Sequence, residues 1–96
     1  MLLARVVGHV TATIKDARLV GHKLPLVAVI DGNGEVLELG RVVADACGAG
    51  RGDVVLVATG SAARLTPSTS GITTDATAVA VVDEVTVDGK QGYRAG

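Results

Sequence analysis

From the second residue onward, small or apolar side chains occupy alternate positions: Leu2, Ala4, Val6, Gly8, Val10, Ala12 and Ile14. The intervening series, Arg5, Val7, His9, Thr11, Thr13 and Lys15, is largely polar. A period of two predicts a half-buried antiparallel strand with the first series facing the core. Gly8 in that inward series is the natural site of a bulge or a barrel corner. Lys15 to His22 is polar and predicts a loop. Leu24 to Ile30 predicts a second strand, and Pro25 places its start at a sheet edge or strand end. Asp31-Gly32-Asn33-Gly34 carries both Asp-Gly and Asn-Gly, a strong hairpin signal. Further strands are predicted at Val36 to Val43, Val54 to Thr59 and Ala76 to Val82, with Glu84 to Val87 continuing the last or adding a short edge strand. Ser61 to Leu65 fits one helical turn capped by the Ser61 hydroxyl. Leu65 to Thr74, rich in Thr, Ser, Pro and Gly, is expected to be a mobile loop, and residues 89–96 a flexible tail to a single domain spanning 1–88.

Five strands and one helical turn in 96 residues point to an all-β fold, a small closed barrel. Closure removes the edges that a valine-rich open sheet would expose to aggregation.

Two loops flank the strand at Val54. The first, Asp45-Ala46-Cys47-Gly48-Ala49-Gly50-Arg51-Gly52-Asp53, holds three glycines within five residues, the mark of backbone that turns with positive φ or approaches another chain segment closely. The second, Gly60-Ser61-Ala62-Ala63-Arg64, sets very small side chains ahead of a single arginine. Together with Met1 to Gly8, with Lys15, Leu19, Gly21, Lys23 and Leu24, and with Asp75-Ala76, Val79 and Val81-Val82-Asp83, these loops resemble the signature of the EutN/CcmL family, the pentameric vertex proteins of bacterial microcompartment shells. The resemblance runs along nearly the whole chain. It departs at Cys47, where valine or another apolar residue is common, and over Leu65 to Thr74. It gives no guidance after Asp88.

Composition narrows the alternatives. Apolar residues make up 48% of the chain and mean hydropathy is +0.45, high for a small monomer, which points to surface buried against other subunits. No segment reaches the ~18 uninterrupted apolar residues of a membrane-spanning helix, because Arg5, His9, Lys15 and Asp31 interrupt the candidates. Met1-Leu2-Leu3 leads directly into a patterned strand, which argues against a signal peptide. One cysteine forms no internal disulfide, and the chain reads as cytoplasmic. A net charge of -1, with basic residues scattered singly, gives no electrostatic case for nucleic acid or an anionic membrane.

The candidate chemistry is thin. Gly48-Ala49-Gly50-Arg51-Gly52-Asp53 has G-x-G-x-G spacing, lacks the Gly-Lys-Ser/Thr of a P-loop, and precedes a strand rather than a helix, so a structural turn is the better reading than a phosphate cradle. Arg51-Gly52-Asp53 spells a cell-adhesion tripeptide, which is chance in a cytosolic protein. Ser61 lacks the G-x-S-x-G nucleophile elbow. His9, His22 and Cys47 stand at unrelated spacings, so no zinc motif assembles, and no catalytic, cofactor or metal site is assigned. Cys47 is a reactive thiol only if a cation lowers its pKa, with Arg51 the nearest in sequence; a small buried hydrophobe is the plainer account. Arg64 with Asp45 or Asp53 invites an ion pair, worth ~0–1 kcal/mol if exposed and directional if held across a subunit boundary.

The resemblance implies an OB-like barrel and a structural shell protein. Five copies would close around a five-fold axis and cap the vertices of a polyhedral shell tiled by hexameric proteins. Gly60, Ser61, Ala62, Ala63 and Arg64 would lie at the subunit interface or axial pore. Asp45, Gly48, Gly50, Gly52 and Asp53 would form a tight loop. Three rivals stand beside this expectation: an enzyme using Cys47 or His9, an OB-type nucleic-acid binder, and a hexameric assembly of the same fold. The second rival conflicts with composition, since nucleic-acid-binding OB folds stack bases on aromatics along a basic groove, whereas Tyr93 is the only aromatic residue.

Overall fold

The computed structural model describes all residues, Met1–Gly96. Eight strands form: β1 (Leu2–Val10), β2 (Leu24–Ile30), β3 (Val36–Val42), β4 (Ala44–Asp45), β5 (Val54–Thr59), β6 (Ala76–Val82), β7 (Glu84–Val87) and β8 (Lys90–Arg94). Short 3-10 turns occupy Ala17–Leu19 and Gly60–Arg64. Six strands join in the order β3-β2-β1-β5-β6-β4. The two ends of that order, β3 and β4, are separated only by Val43, whose N–H donates to the Pro25 carbonyl of β2 (3.1 Å). One continuous strand therefore pairs with β2 along its first part and, through a parallel bridge of Ala44 and Asp45 with Thr77 and Ala78, with β6 along its last. That crossover curls the sheet into the five-stranded barrel expected of the sequence, with β3 and β4 as one strand.

The central cluster of the core is made of valine and alanine. Ala4, Val6, Val27, Val43, Ala49, Val55, Val57, Ala76 and Ala78 form one buried cluster, with Leu2 and Cys47 packed against it. Valine and alanine fill a narrow barrel where aromatic rings would not fit without displacing strands.

Strand β1 enters this core only over its first half. It pairs with β5 through Leu2, Leu3, Ala4 and Arg5, and its register against β2 slips between Val6 and Gly8. The bulge thus falls at the glycine that the alternation marked. Beyond it β1 stays paired with β2 as far as Val10 and Leu24 but leaves the core: Val10 is exposed, the strand ends there, and Ile14 is 97% exposed. The period-two pattern outlasts the core because polarity alternation reports a possible strand, not the presence of a layer to cover it.

The C-terminal segment differs from the expected flexible tail. Residues Lys90 to Arg94 form β8, paired antiparallel with β7. Asp88 (φ 51°) and Gly89 (φ 73°) both adopt positive φ in the two-residue connection, the geometry of a type I′ hairpin that favours Asp-Gly. The hairpin is held against the β2–β3 turn by the Tyr93 N–H, which donates to the Gly32 carbonyl (3.0 Å), and is closed at its own base by the Ala95 N–H, which donates to the Asp83 carbonyl (2.8 Å). A Cβ on Gly92 would overlap that Gly32 carbonyl oxygen, so glycine permits the approach.

Candidate functional site

Asp45 begins the glycine loop and organises it. Its Oδ1 accepts from the Cys47 N–H (3.0 Å) and the Gly48 N–H (3.0 Å), while Lys23 Nζ lies 4.0 Å from its Oδ2. The carboxylate is almost fully buried in its own chain. Asp53 closes the loop from the other end, its Oδ2 accepting from the Gly50 N–H (2.8 Å). Gly48 (φ 75°) and Gly52 (φ 91°) occupy the left-handed region, which L side chains adopt at a cost. Gly50 does not; its contribution is the N–H it gives to Asp53. The reward for this tight path is Ala49, which is fully buried in the barrel core. At the loop's end, the Gly52 N–H donates to the Val6 carbonyl and the Val6 N–H to the Asp53 carbonyl, both at 2.9 Å, extending the β1–β5 ladder.

Cys47 lies half-buried between core and Asp45, with Sγ 3.5 Å from Asp45 Oδ1. Burial first, and then the bond to the Asp45 carboxylate, push its pKa up. An activated cysteine needs the opposite influence, a cation or a helix N-terminus lowering the pKa. The thiol therefore stays protonated at neutral pH and serves as packing.

The second loop is anchored from behind. Thr69 and Thr77, both buried, donate their hydroxyls to the Ala63 carbonyl at 2.8 and 2.7 Å. Thr66 Oγ1 lies 2.6 Å from Thr69 Oγ1 and also accepts the Thr69 N–H. Ile72 is buried beneath them. The segment expected as a mobile Thr/Ser loop is thus a sequence of turns folded over its own threonines. Ala63 is buried, whereas Gly60, Ser61, Ala62, Arg64 and Leu65 face outward. The turn is capped by Thr59 without a side-chain bond, so Ser61 is not the cap. Arg64 Nη1 donates to the Thr74 carbonyl (2.9 Å), at the edge of a cleft of about 330 Å³ lined by Arg64, Thr73, Thr74 and Asp75.

Within one chain, then, the two loops do not share an ion pair. Arg64 uses a backbone carbonyl, and Asp45 and Asp53 are occupied by their own loop. Sequence reasoning missed β8 and the inward threonines. Asp88-Gly89 between Val87 and Lys90 is a hairpin signal that was available for the first, and no local signal separates a buried threonine from an exposed one.

The barrel is filled by its own valine and alanine side chains, and the turn after β5 carries small exposed residues on its outside. Comparison with known proteins assigns the family: residues 1–83 match the family of the ethanolamine utilisation protein EutN and carboxysome proteins, and the chain belongs to it. The carboxysome shell vertex protein CcmL of Synechocystis sp. is 44% identical over 87 residues, covering 91% of this chain and 87% of that protein. The structure of Gloeobacter violaceus CcmL superposes with a TM-score of 0.91 at 36% identity, covering 98% and 97% of the two chains. The pentameric microcompartment shell protein GrpN of Rhodospirillum rubrum superposes with a TM-score of 0.78 at 37% identity, covering 91% and 98%.

Proposed function

We infer that this chain is a structural shell protein whose homopentamers cap the vertices of a bacterial microcompartment shell in the cytoplasm. The observation that supports this best is full-length likeness to shell vertex proteins, one of them described as pentameric. Geometry supplies the reason for such a role. A flat hexagonal layer cannot close on itself without pentagons, so a five-fold ring contributes curvature where hexameric shell proteins, the expected neighbours, tile the facets. The Gly60–Arg64 turn suits a position at the ring's interface or axis: its exposed side chains are hydroxyl and methyl groups, and its interior is pinned by two threonines. Arg64 stands beside it with one N–H group committed to Thr74 and others free to meet a neighbour.

The enzymatic alternative has little support, since the single thiol is held protonated beside a carboxylate. The nucleic-acid alternative lacks both basic groove and exposed aromatics.

Native mass spectrometry at micromolar concentration tests the reading. The expected species is five times the 9.6 kDa chain. A monomer refutes assembly, and a hexamer refutes the vertex role. Ala62→Leu and Arg64→Ala should keep the circular dichroism of the wild type while weakening the ring, with Arg64→Lys rescuing only partly because an ammonium lacks the planar fork. A wild-type ring in both variants removes this turn from the interface.

A further inference from the structure

The only asparagine of this chain is Asn33, and a glycine follows it. It is exposed at the β2–β3 turn. With no side chain on the next residue, the Gly34 backbone nitrogen is sterically free to attack the Asn33 amide carbon. That chemistry needs a Gly34 N–H released from its hydrogen bond and a backbone able to rotate the nitrogen onto the side chain.

The structure blocks both requirements from two sides. From within the turn, Asp31 binds every backbone donor between Asn33 and Glu35. Its carbonyl accepts the Gly34 N–H (3.1 Å), and its Oδ1 accepts the N–H groups of Asn33 (2.9 Å) and Glu35 (3.0 Å). The Asp31 N–H in turn donates to the Glu35 carbonyl (2.9 Å), and Gly34 takes φ 89°, the left-handed position that closes a three-residue hairpin loop. From outside, the β7–β8 hairpin covers the turn. Tyr93 holds the Gly32 carbonyl, Val85 and Val87 lie against Gly32, and a Cβ on Gly92 would stand 3.1 Å from Asn33 Oδ1.

We propose that Asn33 is a spontaneous modification site gated by the β7–β8 hairpin, and that its product keeps the hairpin from redocking. When the hairpin leaves, the Gly34 nitrogen gives its proton to water and attacks Asn33 Cγ. The new C–N bond closes a cyclic imide, while the Cγ–Nδ2 bond breaks and Nδ2 departs as ammonia with a proton from water. Water then opens the imide at either carbonyl, leaving aspartate or isoaspartate, with no change of oxidation state. Isoaspartate carries the main chain through its side-chain carboxyl and so places an additional methylene inside the turn. The Gly32 carbonyl then no longer stands where Tyr93 meets it. Opening of the arm, which is reversible in the unmodified chain, becomes permanent.

The test follows residue 33 in the full chain at mildly alkaline pH. The tryptic peptide Leu24–Arg41 reports conversion by its mass and retention, and each variant unfolded in denaturant supplies its own intrinsic rate. Folded wild type should convert far more slowly than the unfolded chain. Gly92→Val, whose Cβ overlaps the Gly32 carbonyl, should keep the barrel's circular dichroism and convert about tenfold faster than folded wild type, because such chemistry follows the population of the open state. Val85→Ala with Val87→Ala takes its place should that variant lose the barrel, with the same expectation. Tyr93 emission of the wild type should drift as isoaspartate accumulates, and that of Asn33→Gln should not. A folded wild type that converts as fast as the unfolded chain overturns the protection. A barrel-folded hairpin variant that converts at the wild-type rate overturns the gate. Unchanged Tyr93 emission after full conversion overturns the permanent release.

Discussion

The loops on either side of β5 are both made of small residues, yet they direct their polar groups in opposite senses. In Asp45–Asp53 both carboxylates turn inward onto backbone N–H groups, and the loop delivers Ala49 to the core. In Gly60–Thr74 the inward bonds come from Thr69 and Thr77, behind the turn, and the turn's own side chains face out. The first loop is complete within one chain. The second is supported from behind and carries an exposed surface. Similar composition therefore marks a structural plug in one place and a presenting surface in the other, and what separates them is where the hydrogen-bonding side chains sit.

The largest test of that contrast places the same charge in both. Ala49→Asp should abolish soluble folding, because burying an unpaired carboxylate costs several kcal/mol against a total stability of ~5–15 kcal/mol. Ala62→Asp should leave protomer stability within about 0.5 kcal/mol of wild type, as ordinary surface substitutions do. Chemical denaturation followed by circular dichroism measures both, and equal tolerance would erase the distinction between plug and surface.

A smaller effect separates the two supports. Thr69→Val together with Thr77→Val strips the Ala63 carbonyl of both hydroxyl donors and should cost about 1–3 kcal/mol, while also weakening the ring through the turn it carries. Asp45→Ala removes the acceptor of two N–H groups in the glycine loop and should cost about 1 kcal/mol with the ring retained once folded. Oligomer mass compared at matched folded fraction decides between these patterns.

The smallest effect concerns pH. The Cys47 pKa is raised in the folded chain, so its contribution to stability is complete below the ordinary thiol value of about 8.5 and is lost as pH rises through the higher folded value. Denaturation midpoints should therefore fall less steeply at alkaline pH in Cys47→Ala than in the wild type. Identical slopes would show that the thiol is not desolvated by the plug.

Much of the barrel was legible from residues. Leu24–Ile30, Val54–Thr59 and Ala76–Val82 are strands over the spans their apolar runs define, since each run is bounded by turn-forming or polar residues. The end of β1 was not, because Val10, Ala12 and Ile14 continue an alternation beyond the part of the strand that the core covers. Nor was β4, whose two residues acquire their role from a parallel partner far along the chain. The glycine loop was recognisable as a tight turn, although only Gly48 and Gly52 require positive φ. At the second loop the small residues were conspicuous, but the threonines behind them were not. Hydroxyl side chains satisfy themselves equally well in water or against a buried carbonyl, and sequence does not record which partner they find.

The anchoring of β8 gives the molecule an optical property of its own. Tyr93 is the sole aromatic residue, and it rides on the hairpin at the Gly32 contact, outside the valine and alanine core. Intrinsic fluorescence therefore watches the hairpin, whereas far-ultraviolet dichroism watches the barrel. In a denaturant titration the two signals superimpose only if both parts come apart together. Should emission change first, its midpoint measures the release of one arm from the β2–β3 turn, and a folding free energy taken from tyrosine alone would belong to that arm.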